Sequence, residues 1–309
     1  MTATATNPLG LDGTGGHNAL GVHALVWVAG WSPEQCRRAV AATAACGYDL
    51  LEIPLLDPAE VDPQMTVAAL QGHDLQATCS LGLAFDTDVS STDTATVERG
   101  RRLLLDAVAV AADIGSVYVG GPIYSAMDKY RRPATAAGRA NAVAALRSVA
   151  EAARERGVTL GFEPVNRYES NLLNTAGQAL DLIDDIGADN IVVHLDSYHM
   201  HIEERDMASP VRRCAAAGRL GYVHVGESHR GHLGTGSLDL PGLFRALVDT
   251  GYGGPIVFES FSSAVVSPAF AAALAVWRDL WTDSTELARS AHRHMRAQLA
   301  AARTARAGT

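Results

Sequence analysis

Four side chains able to hold a cation or move a proton stand near the ends of four strand-like runs: Glu163 in LGFEPVN, Asp196 in IVVHLDS, His224 in LGYVHVG and Glu259 in PIVFESF. Each run is rich in Val, Ile or Leu, so a carboxylate or imidazole there costs several kcal/mol to bury unless a partner compensates. Brought to one point, two Glu, one Asp and one His form a divalent-cation cage. Its oxygen-rich ligand set suits Mn2+ or Mg2+ better than Zn2+. Glu169, His199 and Arg230 lie just past their strand ends, where side chains reach over a substrate held at such a cage. A lone strand Glu is usually a solvated edge residue and a lone His a hydrogen-bonded core residue. Four such groups at equivalent ends of successive strands argue together. His194, deeper in its strand, and His201, beyond the turn, flank Asp196 and are set aside, and His229 and His232 in SHRGHLGTG are read as ordinary loop residues.

The elements that must position these groups come from an alternation of short apolar runs with longer Ala-rich, helix-periodic stretches, the pattern of repeated βα units. The strands are expected at 19–28, 48–54, 75–83, 116–123, 159–166, 190–197, 220–226 and 254–261. Helices are expected at 33–46, 93–114, 135–156, 175–186, 208–218 and 239–250. Ser32 and Pro33 form an N-terminal signal for the first, and Gly115, Gly157 and Gly187 stand at helix ends. Eight pairs in about 250 residues predict an α/β TIM (β/α)8 barrel, a single domain over residues 18–309 with a C-terminal helical extension at 268–300. A doubly wound dinucleotide or P-loop fold would need a Gly-rich fingerprint after a strand, and neither fingerprint occurs. In a TIM barrel the functional groups converge at the C-terminal ends of the strands. The four residues therefore become neighbours on strands five to eight.

At 309 residues, 48% apolar and 19% charged, the chain can bury a large core. A net charge of −9 with scattered basic residues argues against a nucleic-acid partner. No run approaches the roughly 20 apolar residues of a membrane span, and the first residues lack a signal-peptide pattern, so no membrane partner and a cytoplasmic location are expected. The Gly- and Thr-rich opening, residues 1–17, reads as a disordered tail. Cys36, Cys46, Cys79 and Cys214 are widely spaced and read as reduced core thiols.

The stretches EPVNRYESNLLNTA, HLDSYHMHIEE, YVHVGESHRGHLGTGSLD and IVFESFSS, with GVHALVW and GYDLLEIPLLDP earlier and AVWRDLW later, resemble the ketose 3-epimerases of the sugar phosphate isomerase/epimerase superfamily. The resemblance covers everything but the tail. It implies that Glu163, Asp196, His224 and Glu259 ligate Mn2+ (alternatively Co2+ or Mg2+), and that Glu163 and Glu259 double as acid/bases. It also implies that Glu169, His199 and Arg230 contact the sugar. The assembly it implies is a homodimer or homotetramer. Pro164 and Val165, where relatives usually carry two aliphatics, and His201, where they commonly carry Asn, are departures that bear on the angle of Glu163 and on loop detail.

The expected reaction interconverts C3 epimers of free ketoses through an enediolate, with one Glu on each face of C3. Trp27, Trp31 and Leu83 are expected to shape the pocket for the far end of the sugar. The rival readings are an aldose–ketose isomerase or inosose dehydratase on the same barrel, and a non-catalytic sugar-binding barrel. A metal-dependent endonuclease is disfavoured for want of basic surface and further His ligands.

Overall fold

Eight short parallel strands close into a barrel in the computed structural model, which describes residues 6–13 and 17–308. The strands are β1 (Leu20–His23), β2 (Leu50–Pro54), β3 (Gln76–Ser80), β4 (Tyr118–Gly121), β5 (Thr159–Phe162), β6 (Ile191–Asp196), β7 (Leu220–Val225) and β8 (Ile256–Phe258). They pair in chain order, and β8 returns to β1. Each expected strand is present and shorter than its apolar run, which extends into the flanking turns at one or both ends.

The helices on the outside are α1 (Pro33–Ala45), α2 (Pro63–Gln71), α3 (Thr94–Asp113), α4 (Ala136–Glu155) and α5 (Ala176–Ile186), then, after the short α6 (Ser197–Glu203) at the mouth, α7 (Ala208–Ala216) and α8 (Leu240–Asp249). Local chemistry starts and stops them. Ser32 and Gln35 exchange side-chain and backbone hydrogen bonds around Pro33 in a capping box. Gly187 ends α5 with φ of 75°, a left-handed conformation that favours glycine. The four cysteines are buried free thiols, as the spacing predicts.

The C-terminal helical segment is present but divided. α9 (Pro268–Ala273) is followed by an irregular stretch, and then by α10 (Ser284–Ala307). α10 packs on α8, and its Ala288 carbonyl accepts the Tyr48 hydroxyl at 2.8 Å from the turn entering β2. It is therefore the eighth helix of the outer ring rather than an addition to it.

Of the expected tail 1–17, residues 1–5 and 14–16 lie outside the described residues, whereas 6–13 and 17 are tied to the fold. Thr6 bridges to Tyr252, Asp12–Gly13 pairs antiparallel with His17–Asn18, and Leu9 and Leu11 are buried against Leu50, Tyr118 and Tyr222. These apolar residues lie inside the barrel, and two leucines from the N-terminal segment cover them where water would otherwise enter.

Strand side chains alternate between barrel interior and helix layer. Tyr118 and Tyr222 stack in the interior at 4.3 Å, and Gly120 and Gly161 leave room for the Tyr118 ring and hydroxyl, which lie where their Cβ atoms would be. A bulge between β6 and β7 sets Val193 opposite Leu220 but His194 opposite Tyr222, skipping Gly221. After that step Tyr222 and His224 both face inward, toward Glu52. Among the described residues no helix is long and apolar enough to cross a membrane.

Candidate active site

Glu163 follows β5, Asp196 ends β6, His224 is near the end of β7, and Glu259 follows β8, so the four groups meet at the C-terminal mouth of the barrel. His224 Nδ1 lies 3.4 Å from Glu259 Oε1 and 3.8 Å from Glu163 Oε1. Asp196, His224 and Glu259 have ligand atoms within 4.8 Å of one another, as do Glu163, Asp196 and His199. All are buried.

Asp196 divides its two oxygens. Oδ1 accepts the Tyr198 N–H at 2.7 Å and caps α6, while Oδ2 is buried without a hydrogen-bond partner. His224 Nδ1 is likewise buried and unpartnered, because its other nitrogen is bound to Glu52 Oε2 at 2.7 Å. Buried polar atoms left without partners are costly, and a cation taking the place of the Nδ1 proton would satisfy both. The donor set therefore fits a divalent metal.

Crowding leaves its mark on the acid groups. Burial, with the charges of Glu259 and Asp196 added, raises the Glu163 carboxyl well above the ordinary carboxylate range. Burial and Glu259 raise Asp196 to about 6. On His224 burial acts downward, but Glu52 and Glu259 override it and push the imidazole up to about 10. All three shifts express one excess of negative charge, which a divalent cation would relieve.

Around this cluster stand Arg230, His199 and Glu169, the groups expected from the sequence to contact a substrate. Arg230, at the left-handed φ of 59°, is ion-paired with Glu259 and lies 3.9 Å from Asp196 Oδ2. Its guanidinium lies 3.9 Å from the Tyr198 ring centroid, so it is stacked as well as paired. The loop carrying it is organised by buried Glu227, whose carboxylate accepts the N–H groups of Ser228 and Gly234. His199 Nε2 is 3.7 Å from both Glu163 Oε1 and Asp196 Oδ2 and 4.0 Å from Glu169 Oε2. Burial, then Arg230, holds His199 well below the usual imidazole range. Glu169 Oε1 accepts from Asn166 and its Oε2 is unpartnered.

All seven predicted residues thus come together. Pro164 is accommodated by Tyr124, whose hydroxyl donates to the Glu163 carbonyl at 2.7 Å and accepts the Val165 N–H at 3.2 Å, bracketing the residue that lacks a donor. His201 faces Ser237 at an exposed position, and His229 and His232 contact Thr235 and Glu286 away from the cluster.

One expectation changes. Trp27, Trp31 and Leu83 do not line the pocket. The Trp31 indole donates to Thr66 at the start of the helix layer, and the wall is made instead by Leu25, Leu56, Leu81, Phe270 and Leu274. His194, set aside as too deep, has its ring 4.1 Å from that of His224 and its Nδ1 4.0 Å from Glu163 Oε2. Glu52 was not foreseen at all. Its one sequence signal is an acid two residues from Leu50 and two from Pro54 in LLEIP, hence facing the barrel interior.

The sequence pattern of the xylose isomerase-like TIM barrel family matches residues 40–298. A ketose 3-epimerase of Arthrobacter globiformis is 50% identical over 92% of this chain and 98% of its own length. An L-ribulose 3-epimerase of Methylomonas sp. (strain DH-1) is 48% identical over 87% of this chain and 93% of its own. Among solved structures, a D-allulose 3-epimerase from Methylomonas sp. in complex with D-allulose superimposes with a TM-score of 0.89 at 46% identity, covering 91% of this chain and 97% of that one.

Proposed function

Since this chain belongs to the xylose isomerase-like TIM barrel family and, within it, to the ketose 3-epimerases, we propose that it is a metal-dependent enzyme inverting C3 of free ketoses. The substrates are ketohexoses and ketopentoses, in pairs such as D-fructose/D-allulose, D-tagatose/D-sorbose and L-ribulose/L-xylulose. The observation that carries the reading is the approach of two carboxylates, Glu163 and Glu259, to the same His224 nitrogen from different strands.

Glu163, Asp196, His224 and Glu259 would hold Mn2+, with Co2+ or Mg2+ as alternatives. When bound, the cation supplies Lewis-acid stabilisation of the charge that develops at O2 as C3 loses its proton. Inversion requires the proton to leave one face of C3 and return to the other, so two groups are needed. Glu163 and Glu259 take those roles, each the base for one epimer and the acid for the other, a contribution of about 10² to 10⁴-fold apiece. Arg230 and Glu169 hold the O1/O2 end, and His199 donates from Nε2 to a hydroxyl beside the reacting carbon, keeping the near-attack geometry. The apolar wall of Leu25, Leu56, Leu81, Phe270 and Leu274 receives the far end and excludes water.

The test is proton exchange in D2O with Mn2+ supplied. Glu163→Gln and Glu259→Gln are each expected to abolish deuterium incorporation at C3 and turnover of D-fructose, D-tagatose and L-ribulose. Exchange and turnover retained in both variants would end the reading. Product analysis of the unmodified enzyme separates an epimerase, which gives a second ketose, from an isomerase or dehydratase.

A further inference from the structure

Glu52 is a fully buried carboxylate in the middle of β2, across the barrel from the predicted ligands. Its Oε2 accepts two hydrogen bonds, from His224 Nε2 at 2.7 Å and from the Tyr222 hydroxyl at 2.8 Å. Tyr222 is itself bonded to Thr78 Oγ1 at 2.7 Å. Oε1 has no hydrogen bond, and its nearest cationic candidate is His23 Nε2 at 3.6 Å. The Leu25 N–H donates to His23 Nδ1, so the His23 proton is on Nε2, facing Ser80 and Glu52.

An acid so placed is expensive as packing alone, since an amide or an apolar residue of the same size would fill the space without desolvating a charge. What only a carboxylate does here is accept strongly from His224 Nε2. That bond fixes the imidazole proton on Nε2, turns the Nδ1 lone pair toward Glu163 and Glu259, and makes Nδ1 a stronger donor. A carboxylate behind a ligating imidazole acts in this way on metal affinity.

We propose that Glu52 is a positioning residue for the metal: it selects the His224 tautomer and sets the affinity of the site for its cation, with Tyr222 and Thr78 holding its Oε2 in place. The inference rests on the metal-dependent reading above and adds to it a residue that touches neither metal nor substrate.

Glu52→Gln keeps the volume and removes the charge. Competition with a chromophoric chelator is expected to show Mn2+ bound about 10 to 100-fold more weakly by the variant than by the unmodified protein. Activity should return toward the unmodified value as Mn2+ is raised. The metal-free variant also loses its buried pairing with His224 and unfolds more easily, so the deciding readout is Mn2+ affinity, which a merely structural role would leave alone. Equal Mn2+ affinity in the two proteins overturns the inference and spares the metal-dependent reading, whereas failure of the unmodified protein to bind Mn2+ overturns both. Should the variant not fold, imidazole ¹⁵N shifts of the Mg2+-loaded unmodified protein decide: His224 protonated at Nε2 supports the inference, and protonation at Nδ1 overturns it.

Discussion

The backbone N–H of Asn166 donates to Nδ1 of His199 at 3.1 Å. A backbone amide can only donate, so Nδ1 must accept and the ring proton is on Nε2, aimed at Glu163, Asp196 and Glu169. The loop that follows β5 thereby dictates the protonation of a side chain on α6. His199→Ala is expected to lower kcat/KM for D-fructose or L-ribulose about 10 to 100-fold, the worth of one or two buried hydrogen bonds. Mn2+ affinity should change little. Steady-state kinetics beside a metal titration checks both halves.

Arg230 is ion-paired with Glu259 and stacked on Tyr198 at once, a combination of planarity and charge that lysine lacks. Arg230→Lys should therefore cost about 10² in kcat/KM, mostly through KM. Its thermal midpoint should remain within a few degrees of the original. A variant with unchanged KM would show that the guanidinium plays no part in holding the sugar.

Removing the metal should make stability depend on pH in a defined direction. Asp196 is raised from 3.8 to about 6 by burial and by Glu259, so its protonated form is favoured in the folded state. The unfolded chain gives up this proton more readily, and the stabilisation present below pH 4 is lost as pH rises toward 6. The loss is on the order of 3 kcal/mol for a shift of about two units. Urea unfolding of EDTA-treated protein between pH 4 and 7 measures it. Mn2+ at about 100 times its dissociation constant should restore about 2.7 kcal/mol at pH 7.

Tyr124 ties the Glu163 carbonyl and the Val165 amide across Pro164. Tyr124→Phe leaves those buried groups short of partners and is expected to cost about 1 to 3 kcal/mol in urea unfolding. The freed carbonyl also loosens the Glu163 side chain, so kcat should fall with KM little changed.

The cluster at the barrel mouth was legible in the sequence because a charged residue in an apolar, β-branched run has few reasons to be there, and because a barrel dictates where strand ends point. Glu163, Asp196, His224 and Glu259 all follow from that argument. Glu52 escaped it. A single acid in YDLLEIP looks like any strand Glu until the barrel closes and brings β2 against β7, a contact between residues far apart in the chain. His194 was set aside on depth along its own strand, but depth does not register the bulge that offsets β6 from β7 by one residue. Helical periodicity through 268–300 hid the break after Ala273, and Leu9 and Leu11 were too few in a Gly-rich stretch to signal burial.

Phe270 and Leu274 reach the pocket from a short helix and the turn behind it, hung between the last strand and the final outer helix. Neither residue belongs to the strands that carry the acids. On the proposed reading, chemistry and sugar preference are carried by separate stretches of the polypeptide, so substitutions in this segment are expected to retune which ketose is accepted and to leave the acid/base pair untouched.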